Sequence, residues 1–200
     1  MESGDPKNKK LKRKNVQNCL NLHLNKLKIM SKLEIASPML LNAAQQKQIS
    51  DSNNRFKMTA WLFTVLPAAW FMGVRVKSVS SEKAEVTLPY HWRSQNPFQS
   101  IYLIAQCAAA ELSTGILCTL ALQGRGKISM LATHIESDFL KKANTLTTFT
   151  CDEGAQIFTL IDEVIATGEA RSIILTSKGV QKTGETVSVT RVTWSFKSKK

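Results

Sequence analysis

The four cysteines of this 200-residue chain, Cys19, Cys107, Cys118 and Cys151, include no CxxC and no Cys/His ligand pair. A zinc site is therefore not expected, nor any other metal centre. Cys107 and Cys118 fall in one predicted helix about 16 Å apart, too far for a disulfide. Reduced, buried thiols suit a cytoplasmic protein. A secretory signal is also missing, because the basic start is followed by no apolar h-region. The uncharged run Met58–Val74 is shorter than the roughly 20 apolar residues a spanning helix needs, and Pro67 interrupts it. It reads as a helix that packs on the domain or covers an apolar ligand, with a membrane-surface role as the less favoured alternative. No RNP motif, zinc pattern or helix-turn-helix signature is present, so no specific nucleic-acid partner is expected. No cofactor is expected either, since the GxG in "QGRGKIS" is too short a signal.

Charge is unevenly spread. The net charge is +12, and residues 1–30 carry half of it, with eight Lys/Arg against two Asp/Glu. The rest of the chain holds 19 basic and 13 acidic residues, a mild excess that favours anionic ligands. Residues 1–55 therefore read as a basic, flexible extension and linker. Val16, Leu20, His23, Leu24 and Leu27 recur at helical spacing beside Lys26 and Lys28. This is either a weak amphipathic helix able to touch anionic lipid or nucleic acid, or a disordered or frayed tail. The globular pattern needs nothing before Met30, which is an alternative start. "QQKQISDSNN" reads as a linker.

With 43% hydrophobic residues, the remainder can bury a core of its own. Phe56–Met72 is helical in character, in two pieces around Pro67. "GVRVKSV" and "KAEVTLPY" alternate as a β-hairpin across "SSE". A loop from His91 to Gln99 leads into a long, nearly uncharged helix that stops near Gln123–Gly124. "KISMLATHIESDFL" and "TLTTFTC" read as strands. Ile157, Leu160, Ile161, Val164 and Ile165 form a helical stripe closed by Gly168. "RSIILTS" and "TVSVTRVTWSF" complete the strand set, with "KGVQKTGE" as their turn. The last strand switches face between Val189 and Val192, which implies a bulge or burial on both faces. The predicted class is α+β: an antiparallel sheet wrapped around one long helix, with an extra helix before it and a short helix between late strands. Ala105, Ala108, Ala109 and Ala110 allow that helix to approach the sheet closely.

One residue stands out in the long helix. Glu111 is its single acid, on a narrow polar seam with Cys107, Thr114 and Cys118. A carboxylate there costs several kcal/mol unless it is paired or solvated. Something must therefore compensate for it: a pocket water, a bonding partner or a raised pKa.

The order of elements from Phe56 to Phe196 resembles the hot-dog fold. Many acyl-CoA thioesterases of the phenylacetate-degradation type carry N-x-x-G-x-x-H-G-G, with an acid nine residues after the His. Here Asn96 stands at the Asn position and Gln99 at the first glycine. Tyr102, Leu103 and Ile104 stand at His-Gly-Gly, and Glu111 at the acid. The frame "FMGVRVKSV" through "NPFQSIYLIAQCAAAELSTG" to "RVTWSF" also resembles thioesterase-like hot-dog proteins known only as domains of unknown function. The resemblance implies a hot-dog domain over 56–200 that hydrolyses an acyl-CoA or other acyl thioester at a dimer-interface pocket. Alternatively, the domain holds an acyl chain or acyl-CoA without turnover. Glu111 and Asn96 are the candidate catalytic residues. Gln99, Tyr102, Leu103, Ile104 and Cys107 are the candidate substrate contacts. A homo-oligomer, dimer or tetramer, is implied. His91, His134, Arg93, Arg125, Lys127, Lys141 and Lys142 are weaker candidates, read more simply as ordinary loop, strand or solvated residues.

Overall fold

The computed structural model describes residues 40–199. The predicted helix around Leu20 and the alternative start at Met30 lie outside them. Three short helices come first: α1 (Ala43–Asn53), α2 (Arg55–Val65) and α3 (Pro67–Phe71). The hairpin follows as β1 (Arg75–Val79) and β2 (Ala84–Leu88), then the long helix α4 (Leu103–Leu122). The chain continues through β3 (Ile128–Phe139), β4 (Thr147–Cys151), α5 (Gly154–Thr167), β5 (Arg171–Gln181) and β6 (Thr186–Ser198).

The linker reading of "QQKQISDSNN" is corrected. That stretch lies mostly within α1, and the compact unit begins at Leu41 rather than at 56. A capping box starts α1: the Asn42 side chain accepts from the Gln45 N–H, and Gln45 Oε1 accepts from the Asn42 N–H. This satisfies two donors that a helix start otherwise leaves bare. Polar bonds then fasten α1 to the end of α4. Asn42 donates to the Gln123 carbonyl (2.8 Å), Gln45 to that of Ala121 (3.4 Å) and Gln48 to Thr119 Oγ1 (3.1 Å). Sequence patterning looks for an apolar stripe, and this attachment has almost none.

All six strands form one antiparallel sheet in the order β1-β2-β4-β5-β6-β3. Its concave side holds α4, which packs chiefly on β2, β4 and β5 and barely reaches β3. By length and composition α4 could cross a membrane, yet 67% of its most apolar stretch is buried in this fold. The alanines permit this. Ala105, Ala109 and Ala110 are sealed against the sheet beside Leu112, Leu117 and Leu120. Phe149, Leu175, Val192 and Phe196 meet them from the strands. The helix ends at Gly124, whose φ of 70° is open to glycine at little cost.

Two strand details differ from expectation. The "KGVQKTGE" turn is shorter than predicted: β5 runs on to Gln181, and Lys182–Glu185 turn the chain. The irregularity in β6 lies earlier than Val189. Gly179 pairs with Ser188 and Val180 with Thr186, so Val187 is the extra residue. The bulge sends Ser188 and Thr190 inward, and both are buried. Gly179 makes room for this, because a Cβ there would lie 2.5 Å from Ser188 Oγ.

Candidate active site

The loop between β2 and α4 is rigidly tied. Ser94 Oγ donates to the Pro89 carbonyl (2.6 Å), and the Tyr102 N–H donates to that of Ser94 (2.6 Å). The Ile101 N–H donates to the Ala143 carbonyl (2.7 Å), and Ser100 Oγ accepts from the Ala143 N–H (3.1 Å). Asn96 organises the turn itself. Its Oδ1 accepts from the N–H groups of Phe98 (3.0 Å) and Ser100 (3.2 Å). Gln99 completes the turn with a φ of 58°, the one positive φ of a non-glycine residue among those described. The left-handed geometry suited to glycine is therefore retained with a side chain in place, at a cost of about 1–2 kcal/mol.

The first turn of α4 follows directly. Tyr102 is its N-cap and gives no side-chain cap. The Tyr102 N–H is committed to Ser94, so it is not free to orient a substrate carbonyl. Those of Leu103 and Ile104 meet no acceptor among the described residues. They stand at the positive end of a 20-residue helix. The Tyr102, Leu103 and Ile104 side chains are all exposed.

Glu111 lies eight residues beyond Leu103, about 12 Å farther along the helix axis. Its carboxylate is mostly buried, and burial raises its pKa. Among the described residues it meets no cation and accepts no hydrogen bond. Gly115 lies beside it: a Cβ there would sit 3.3 Å from the Trp194 ring, a tight approach, and 3.4 Å from Glu111 Oε1, an ordinary contact. The surroundings form a polar seam. Thr114 Oγ1 accepts from the Trp194 indole N–H (3.0 Å), and Ser137 Oγ bonds with Thr190 Oγ1 (2.7 Å). Cys107 lies beside Ser137, and burial pushes its thiol pKa up against that hydrogen bond. It is a neutral lining group. Cys118 and Cys151 are buried more deeply, the latter with its pKa raised to about 12 by burial.

Trp194 and Gly115 belong to this site and were not singled out from the sequence. The cue was the lone glycine four residues after the lone acid. The predicted residues fall into two groups. Cys107, Glu111 and Thr114 share the seam, while Asn96, Gln99 and Tyr102 build the turn that presents the Leu103 and Ile104 amides. A hollow of about 630 Å³ between α1, α2 and α4, lined by Met58, Trp61, Ile116 and Thr119 among others, includes none of them.

The seam opens towards β3. Antiparallel pairing with β6 puts Ile135 opposite Val192, Ser137 opposite Thr190 and Phe139 opposite Ser188, all on the concave side. Yet Ile135 is 45% exposed and Phe139 43%. Since α4 barely reaches β3, this part of the sheet's apolar face is left largely uncovered by the described residues, and the outer edge of β3 pairs with no described strand.

A family model described as a domain of unknown function, DUF4442, matches residues 55–196. The chain belongs to this family. No curated protein matches it by sequence. The fold is that of solved thioesterase-like structures. A Pseudomonas aeruginosa protein of unknown function, PA5026, described as a probable thioesterase, is 15% identical with a TM-score of 0.59, over 80% of this chain and 99% of that one. The thioesterase HI1161 of Haemophilus influenzae is 14% identical with a TM-score of 0.54, over 72% and 91%. The PaaI protein of the E. coli phenylacetic acid degradation operon is 16% identical with a TM-score of 0.50, over 72% and 94%. This DUF4442 chain therefore has the hot-dog fold, with α1–α3 and α5 as its additional helices.

Proposed function

We propose that this protein hydrolyses an acyl thioester, of the acyl-CoA class, in a pocket shared by two copies of the chain. The observation that carries the reading is Glu111: a mostly buried carboxylate with no partner among the described residues, beside an apolar sheet edge that those residues leave uncovered. Hydrolysis needs a polarised carbonyl and an attacking group. The amides of Leu103 and Ile104 can polarise the carbonyl, and Glu111 can activate water or attack directly. About 12 Å of helix separates them, too far for one thioester group to meet both in the same chain. A second copy joined along β3 can bring its own helix start to Glu111, and it also covers Ile135 and Phe139. Asn96 acts by holding the turn, since its Oδ1 is committed to backbone amides. Gln99, Tyr102 and Cys107 frame the pocket. The reduced thiols are in keeping with a cytoplasmic setting.

A second reading has its own support. Leu103 and Ile104 place side chains where the resemblance has glycines, which narrows access to the amides. A domain that holds acyl-CoA without turnover fits that crowding. A hydrolysis screen across acyl-CoAs of different chain length and aryl type separates the two. Turnover that depends on Glu111 supports the enzyme. Bound acyl-CoA with no turnover of any substrate moves the assignment to the binding module.

A further inference from the structure

A helix on the surface of a soluble domain normally turns charged residues outward. α2 and α3 do the reverse. α2 buries only Met58 and Leu62, and α3 buries no residue. Phe56 is 87% exposed, and Phe63, Val65 and Phe71 are exposed with it. Beyond α3 the face continues into the β2–α4 loop, where Trp92 is 70% exposed.

These groups gather in two aromatic clusters, carried by the neighbouring residues Trp70 and Phe71. Phe63 meets Trp70 edge-on at 4.9 Å, and Phe71 meets Trp92 edge-on at 6.0 Å. Arg75 lies over the Trp70 ring at 5.5 Å, and Arg93 over Phe71 at 5.8 Å and Trp92 at 5.9 Å. An open hollow of about 840 Å³ runs between Arg55, Phe56, Phe63, Trp70 and Arg75. Among the described residues, the charged groups beside the rings are cations. From Ser52 to Ser81 the chain has no Asp or Glu, and it has none from Val86 to Ala110. Arg55, Arg75 and Arg93 pair with no carboxylate among the described residues. They stand close enough to oppose one another: burial lowers the Arg75 pKa, and the charges of Arg93 and Arg55 lower it further.

A contiguous apolar patch of this kind marks an interaction surface. Its occupant must accept ring tips splayed over a helix surface and must also carry negative charge. A second copy of the chain, docked face to face, fails the second condition because it brings the same arginines against themselves. We propose that the α2–α3 face, with Trp92 and Arg93 at its rim, docks the protein on an anionic lipid surface. Aromatic rings settle at the headgroup level, where one side is apolar and the other wet. The guanidiniums meet the headgroup anions. The eight basic residues among the first 30 add attraction of the same sign. The proposal does not depend on thioester hydrolysis.

The test is co-sedimentation of the full chain with phosphatidylcholine vesicles, with and without phosphatidylserine. Binding is expected only with phosphatidylserine, and weaker at high salt. Each cation at an anionic surface is worth about 1 kcal/mol, so Arg55→Gln with Arg93→Gln should weaken binding by about 25-fold. Phe56→Ser with Val65→Ser should weaken it by about tenfold or more. Both pairs alter exposed or half-exposed positions, and both proteins should keep the wild-type melting temperature and near-ultraviolet circular dichroism. Absence of binding to phosphatidylserine vesicles overturns the proposal. So does equal binding by wild type and both variants, which assigns the attraction to the basic extension alone. Loss of single-stranded oligonucleotide binding in the variants, with vesicle binding unchanged, assigns the face to nucleic acid instead.

Discussion

Replacing Glu111 by Gln should make the protein more stable and less active at the same time. Burial raises the pKa of Glu111, so folding favours its protonated form. The stability this provides is fully present below the ordinary value of 4.5, and it is lost as pH rises through the folded value. Above the folded pKa the wild type carries a charge that is costly to bury. A fully dry carboxylate would cost several kcal/mol. Glu111 lies at the open side of the seam, so about 1 kcal/mol is the reasonable scale. For a chain of this length that is a rise in melting temperature of about 2–4 °C in Glu111→Gln. The gap between the two proteins should shrink as the pH falls towards 4.5 and below, where both side chains are neutral.

Activity should move the other way. Glutamine keeps the shape but neither accepts the proton from water nor attacks as an anion. Turnover should fall by about 10²–10⁴-fold, with KM little changed because the acyl pocket is intact. Wild-type activity should rise with pH through the Glu111 pKa, and the variant should lack that limb. Melting curves from pH 4 to 8 and steady-state kinetics on the best acyl-CoA from the screen supply both readings. Wild-type turnover in a folded Glu111→Gln protein refutes the catalytic role. A variant less stable than wild type at neutral pH refutes the unpaired state, because the charge must then meet a cation in the assembled protein.

Ile135→Asp puts a charge on the uncovered concave face of β3. It should turn the expected dimer into a folded monomer in sedimentation, whereas an unchanged mass would show that β3 is not the joint. Gln99→Gly removes the left-handed strain of about 1–2 kcal/mol but adds about 0.5–1 kcal/mol of unfolded-state entropy. The net gain should be about 0.5 kcal/mol in denaturant titration, and a clear loss would mean that the Gln99 side chain holds the turn. Asn42→Ala removes the cap of α1 and its bond to Gln123, and should cost about 1–2 kcal/mol. No effect in melting experiments would return α1 to the status of a linker.

The repeating apolar pattern made most of the fold legible. The hairpin, the break at Pro67, the extent of α4 and the stripe of α5 all follow from periodicity and from glycine or proline stops. What escaped is held by polar groups. α1 was hidden because Asn42, Gln45 and Gln48 attach it through amide hydrogen bonds, and polar residues in a row look like a linker. The inward turn of Ser188 and Thr190 was hidden because the Val187 bulge and the small Gly179 make an interior place for hydroxyls. The commitments of Asn96 and of the Tyr102 N–H were equally invisible, since spacing records which residues are near but not which lone pairs are spent.

Glu111 drew attention for the opposite reason: one charge in an apolar helix is costly, so it asks for an explanation. On the proposed reading its explanation lies partly outside a single chain. The pattern of β3 predicted a strand, and the described residues leave Ile135 and Phe139 on its concave face largely uncovered. A core left open beside an unpaired carboxylate is unfavourable twice over, once for the apolar area and once for the charge. On the proposed dimer, both penalties would be relieved by the same event, a second copy closing over β3. If that closure brings the partner's free helix-start amides to Glu111, the carboxylate also gains the reaction partner that its own helix holds about 12 Å away.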